Sequence, residues 1–162
     1  MRALALILLI FFPLFTRGSG QSVQDTVSSG NIKNVVFGTF GVYPLAIYNI
    51  NYERNIYYKP VTGSVSSINL RLGFGKEADP SGSAELLLAS TNFIFGPGSG
   101  HVEADLGAAY LFNIIRDNYD KKTGFSPLVN LGYRFQRNDG HFVFRTGLGW
   151  PDCIYASLGF AF

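Results

Sequence analysis

From Asn34 to Phe162, apolar and polar side chains alternate with a period of two, segment after segment. That period places neighbouring side chains on opposite faces of a β-strand, whereas an amphipathic helix repeats every 3.6 residues. No segment carries a convincing helical stripe. In Ile68 to Gly75, Ile68, Leu70, Leu72 and Phe74 alternate with Asn69, Arg71, Gly73 and Gly75. In His101 to Tyr110, Val102, Ala104, Leu106, Ala108 and Tyr110 oppose His101, Glu103, Asp105, Gly107 and Ala109. A chain patterned this way must close many strands on one another, because each strand has one face to bury and two edges to pair.

Turn signals cut the pattern into eight segments. They are expected at about Asn34–Val42, Leu45–Ile56, Val65–Lys76, Ser83–Phe95, His101–Phe112, Ser126–Arg137, His141–Trp150 and Ile154 to the end. Asp79-Pro80 sits in a predicted loop from Glu77 to Gly82, and Gly96-Pro97-Gly98 makes the next break. Asn138-Asp139-Gly140 is a hairpin signal, while Tyr43-Pro44 and Pro151-Asp152 read as short connections. The fourth segment alternates least, because Leu86-Leu87-Leu88 is continuous. The expected fold class is all-β: one antiparallel up-and-down transmembrane barrel of about eight strands, preceded by a signal peptide.

The leader is read from Met1-Arg2 and the apolar run Ala3 to Phe12, broken by Pro13 and followed by Arg17-Gly18-Ser19-Gly20. Residues 1–20 are therefore expected to be an export signal, 21–33 a flexible periplasmic lead-in, and 34–162 the barrel. Without Arg2 and Arg17, 11 basic residues face 11 acidic ones, so nothing in the net charge argues for nucleic acid. A single cysteine, Cys153, excludes an internal disulfide.

The orientation of the two faces follows from what the polar positions are made of. Charged residues are only 15% of the chain, against roughly 25% in soluble domains. The polar face is mostly Gly, Asn and Ser, with isolated acids and arginines. A water-facing wall would carry more charge; a narrow lumen needs small residues and a few paired ions. The apolar face is therefore expected to meet lipid. Glu53, Arg71, Glu103, Asp105, Arg134 and Arg145 are expected to form a lumen charge network, with Glu85 as a doubtful seventh member. Buried charges persist only when paired, and the planar Arg fork can serve two carboxylates. An eight-strand barrel is just wide enough for its side chains to fill it. Tyr48, Tyr52, Tyr110, Tyr133, Trp150, Phe160 and Phe162 are candidates for aromatic girdles at the two interfaces.

The last segment, Ile154 to Phe162, alternates and ends on Phe. It resembles the targeting strand recognised by outer-membrane assembly machinery, which makes Phe160 and Phe162 the expected assembly signal. The pieces Asn51-Tyr52-Glu53-Arg54, Asn69 to Gly75, Leu131 to Phe135 and Phe142 to Gly147 resemble small outer-membrane barrels of Bacteroidota. In size the chain is similar to OmpX- and OmpA-type barrels. The resemblance implies the fold and a bacterial outer-membrane location, and no established activity.

Other chemistry is thin. His101 and His141 each begin a strand after a tight turn, and no spacing ties either to Ser99 or Ser157 as a nucleophile. His101, Glu103 and Asp105 share one strand face, but the two carboxylates are more simply partners of lumen arginines. No catalytic residue, cofactor or metal is expected. The expected role is structural or surface interaction, by a monomer in contact with outer-membrane lipids and lipopolysaccharide, the latter through the charged stretch Arg116–Thr123. The alternatives are a narrow transport pore, a lipid-modifying enzyme, or a soluble ligand-binding barrel.

Overall fold

The computed structural model describes residues 34–42, 46–58, 65–80, 82–116, 123–137 and 140–162. The expected leader, the lead-in, Tyr43-Pro44, Asn138-Asp139 and most of the 116–123 stretch lie outside the described residues. Eight strands follow one another: β1 Asn34–Val42, β2 Ala46–Tyr58, β3 Ser67–Asp79, β4 Gly82–Phe95, β5 Gly100–Arg116, β6 Thr123–Gln136, β7 Phe142–Trp150 and β8 Cys153–Ala161. Each pairs antiparallel with its neighbour in sequence, and β1 pairs with β8, so the sheet is a closed barrel. Closure leaves no free edge along the paired ladders.

Strand limits differ from the sequence reading where charge interrupts the pattern. The predicted loop Glu77–Gly82 is a tight turn at Pro80, because β3 runs on to Asp79 and pairs it with Gly82. Alternation simply continues through the charged residues: Lys76 and Ala78 stay outside, and Glu77 turns inward and is buried. β5 is the longest strand, at 17 residues. It passes a register shift opposite Ser83 and Glu85, close to Asn113 at φ 51°, a conformation Asn tolerates better than most residues. β7 pairs with β6 only as far as Val129↔Trp150. Among the described residues, Thr123–Leu128 is therefore paired on the β5 side alone, and this is where Pro127 sits. A residue with no N–H is at home on such an edge.

The burial pattern is inverted relative to a water-soluble protein. Ile50, Leu131 and Leu148 are 69%, 62% and 62% exposed, while Arg71, Arg134 and Arg145 are 2%, 2% and 1% exposed. Aromatic side chains gather towards the two ends of the outer wall. The end where β1 begins carries Tyr57, Tyr58, Tyr133, Phe142 and Phe160, and the opposite end carries Phe40, Tyr48, Phe74, Phe125 and Trp150.

Inside, the barrel is layered. Val35, Phe37, Val143 and Ala161 form an apolar cluster towards the first end. Ile47, Leu86, Leu88, Ala109 and Leu128 form another towards the second end. The uninterrupted Leu86-Leu87-Leu88 is thereby explained, since Leu86 and Leu88 cap the lumen while Leu87 faces out. Polar side chains fill the rest of the lumen.

The filling leaves little slack. A methyl group on Gly132 would strike the Tyr155 hydroxyl and lie 2.7 Å from the Thr146 carbonyl oxygen, which is fixed backbone. Gly132→Ala is therefore expected to cost about 1–3 kcal/mol, as overpacking does. Urea unfolding of the purified protein in detergent checks this, and a midpoint equal to wild type contradicts it.

Candidate functional site

The candidate site is the polar middle of the lumen. Inward positions recur every second residue on each strand, so β2 contributes Asn49, Asn51 and Glu53, and β5 contributes Glu103 and Asp105. β3 adds Asn69 and Arg71, β4 adds Asn92, β6 adds Asn130 and Arg134, β7 adds Arg145 and β8 adds Tyr155.

All six charged residues singled out in the sequence meet there. Arg145 donates from Nε to Glu103 Oε1 at 2.7 Å and from Nη2 to Asp105 Oδ2 at 2.9 Å. Its Nη1 lies 3.6 Å from Glu53 Oε2. Arg134 donates from Nη1 to Glu53 Oε1 at 2.6 Å and from Nε to Gln136 at 3.0 Å. Arg71 donates to Asp105 Oδ2 and to Asn51 Oδ1, both at 3.0 Å. Asn69 donates to Glu53, and the Tyr155 hydroxyl to Glu103. Phe37 of β1 supplies a ring face to the cations, with the Arg145 and Arg71 guanidinium carbons 4.5 and 5.3 Å from its centroid. Strands on every side of the barrel are thus tied through its axis.

The register explains why carboxylates are needed at these places. Arg134 and Arg145 are directly opposite each other across β6 and β7. Like charges so placed repel, and Glu53 from β2 across the lumen and Glu103 from neighbouring β5 bridge them. Removing water makes each of these contacts stronger and each unpaired charge more costly.

Asp152 is the member that the sequence reading misses. Pro151-Asp152 reads as an outer turn, yet Asp152 is 1% exposed. Its carboxylate accepts hydrogen bonds from Asn49 at 3.2 Å and Asn130 at 2.8 Å, and Oδ2 lies 3.5 Å from Arg71 Nη2. A turn residue at the barrel mouth can fold its side chain inward over the last lumen layer, and a turn signal does not encode that direction. Asp152→Ala strands two amides and one guanidinium nitrogen. It is expected to cost about 1–3 kcal/mol, the penalty for buried groups left unpaired. Asp152→Asn is expected to cost less, and chemical denaturation of the two variants side by side tests the order.

Glu85 corrects the reading in the other direction. It lies on the outer face opposite Lys76 and accepts a hydrogen bond from Asn113, so it takes no part in the lumen network. The two histidines lie apart from the network's ion pairs. His101 Nδ1 donates to the Gly96 carbonyl at 2.9 Å, and His141 Nδ1 to the Ala161 carbonyl at 2.7 Å. His141 also stacks on Phe160, at 5.0 Å between centroids. Cys153 is buried and its Sγ contacts the Pro151 carbonyl. Phe160 and Phe162 are on the outer wall, at 57% and 45% exposure.

No family model matches the chain, and no curated protein matches it. Among solved structures, the chain is similar to the N-terminal β-barrel domain of Pseudomonas aeruginosa OprF. The two share 16% identity at a TM-score of 0.52, over 80% of this chain and 96% of that one. A second similar structure is the outer membrane enzyme PagL, at 13% identity and a TM-score of 0.48, over 78% of this chain and 97% of that one. In fold, then, the chain is a closed eight-strand antiparallel barrel like the OprF domain; in this chain an ion-pair network lies inside and many large apolar side chains lie outside.

Proposed function

We propose that this chain is an integral outer-membrane barrel with a lumen closed by side chains, acting in structure or surface interaction and not in catalysis. The supporting observation is the inversion itself: three arginines almost fully enclosed, and an outer wall of Leu, Ile and aromatic side chains. A wall of that kind is stable only against hydrocarbon. The aromatic ends of the wall match the levels at which a bilayer gives way to water.

The closed lumen is favoured over a narrow pore by the cross-barrel network itself, in which Arg71, Arg134, Arg145 and their partners Glu53, Glu103 and Asp105 are each no more than 2% exposed. The resemblance to Bacteroidota barrels, the assembly role of Phe160 and Phe162, and contact with lipopolysaccharide through residues 116–123 belong to the same proposal.

Fractionation of cells expressing the full chain tests it, with gel mobility compared before and after boiling. Recovery in the outer membrane with a heat-dependent mobility shift is expected. A soluble protein with no shift overturns the fold-in-membrane reading. Planar bilayers address the lumen: steady conductance would replace the closed plug with the pore. Altered lipid acylation on expression, abolished by His101→Ala or His141→Ala, would replace it with the enzyme.

A further inference from the structure

The outer wall is not evenly covered. A groove of about 670 Å³ crosses β8, β1, β2 and β3, with Gly38 and Ala156 low in it and Phe40, Tyr48, Phe74 and Leu158 around them. Its depth comes from Gly38, where an added Cβ would meet nothing within 4 Å. Gly38 is at the middle of β1, while Phe40, Tyr48 and Phe74 lie further towards the end where residues 116–123 follow β5. The groove therefore runs from the middle of the wall to its outer end. The volume falls in the range that specific ligands occupy, roughly 300–1,000 Å³.

That outer end is charged. Lys76 follows Phe74 on the outer row of β3, opposite Tyr48 on one side and Glu85 on the other. Lys76 is half-buried and held by no ion pair among the described residues. Glu85 accepts from Asn113 Nδ2 at Oε2, at 2.8 Å, and its other oxygen takes no hydrogen bond among the described residues. Glu85 pairs with Phe112 on β5, and β5 runs on to Arg116, where the stretch proposed to meet lipopolysaccharide begins. Groove, charged pair and that stretch form one continuous surface.

We infer that the groove seats one acyl chain of lipid A, the phosphorylated sugar lipid that anchors lipopolysaccharide, with a phosphate on Lys76 and a sugar hydroxyl on Glu85. The inference rests on the outer-membrane reading above and names the lipid's place on the wall. The apolar part of the groove lies at the depth of the outer leaflet, where an acyl chain over Gly38 replaces the side chain that β1 lacks there. At its charged end the ammonium draws the phosphate. The carboxylate accepts only, so it turns phosphate away and takes a hydroxyl. A glycerophospholipid headgroup ends at this pair. A phosphorylated disaccharide continues over Asn113 and the end of β5.

Native mass spectrometry of the full chain, purified in detergent and titrated separately with lipid A, phosphatidylglycerol and phosphatidylethanolamine, tests it. Wild type is expected to retain lipid A about tenfold better than either phospholipid, the size of one charge-assisted contact. Gly38→Leu fills the groove and should abolish that preference. Lys76→Gln should lower retention of lipid A and phosphatidylglycerol alike, about tenfold. Glu85→Ala should lower lipid A and leave phosphatidylglycerol unchanged. Equal retention of the three lipids by wild type, a preference for either phospholipid, or lipid A retention indifferent to both Gly38→Leu and Lys76→Gln overturns the inference. The heat-dependent mobility shift is recorded for every variant, and Lys76→Gln, a surface change, keeps the test decisive if Gly38→Leu does not fold. A folded membrane barrel without a lipid A preference sinks the groove alone; a soluble protein without a mobility shift sinks the membrane reading with it.

Discussion

Replacing Arg145 with Met is expected to lower the unfolding free energy by about 3–5 kcal/mol, the cost of removing one partner from a buried ion pair. Arg145 is the hub of the network. It holds Glu103 and Asp105 by hydrogen bonds and faces Glu53 at 3.6 Å, at 1% exposure. Met has a similar length and no charge, so the loss reads the stranded carboxylates and not a cavity. Two companions separate that cause from lost packing. Arg145→Lys keeps a positive charge but loses the planar fork that reaches two carboxylates at once, and should recover only part of the stability. Adding Glu103→Gln to Arg145→Met removes one stranded charge, and the pair should cost less than the sum of the singles. Urea titrations followed by gel mobility and tryptophan fluorescence supply the numbers. Strict additivity would mean that Arg145 and Glu103 are not coupled, against the 2.7 Å contact between them.

The second large effect concerns the opposite face. Leu131 is 62% exposed, lies on the middle turn-free part of β6 and pairs across to Leu148 on β7. On a water-facing surface, Leu131→Arg would change stability by no more than about 0.5 kcal/mol. Against hydrocarbon the same change costs about 2–4 kcal/mol near the bilayer midplane and falls towards the interfaces. The expected result is a loss of that size for Leu131→Arg in phospholipid vesicles. The same substitution at Phe125, which is 82% exposed near a strand end, should cost much less. A depth profile of this kind has no counterpart in a soluble barrel, where both positions would be tolerated alike.

Both effects concern side chains whose face the amino-acid pattern already specifies. Period two sets which face each side chain takes, so Glu53, Arg71, Glu103, Asp105, Arg134 and Arg145 fall on one face by their neighbours alone. Which face turns inward is decided by chemistry, since Gly, Asn and Ser between isolated ions suit a narrow interior and not a wetted wall. Other facts are not legible in the sequence, for physical reasons. Height along the barrel axis depends on the stagger of the closed sheet, which alternation does not report. Alternation alone does not tell that Arg71 reaches Asp105 across the lumen. Glu85 and Glu77 show the same limit locally: in strand stretches that read as loop or weak pattern, one residue of slip decides inside from outside. Asp152 escapes because a turn motif specifies backbone and not side-chain direction. The apolar caps around Leu86, Leu88 and Phe37 escape because a run apolar on both faces looks the same from either side.

The most direct measurement is contact between the outer wall and acyl chains. Trp150 is the only tryptophan, so Trp150→Phe with Leu131→Trp leaves one fluorophore at the middle of the outer face. Reconstituted into vesicles whose lipids carry bromine midway along the acyl chain, this variant should be quenched strongly, and more than wild-type Trp150 near the strand end. Emission untouched by brominated lipid at residue 131, from a folded barrel, would mean that the greasy wall does not meet the membrane.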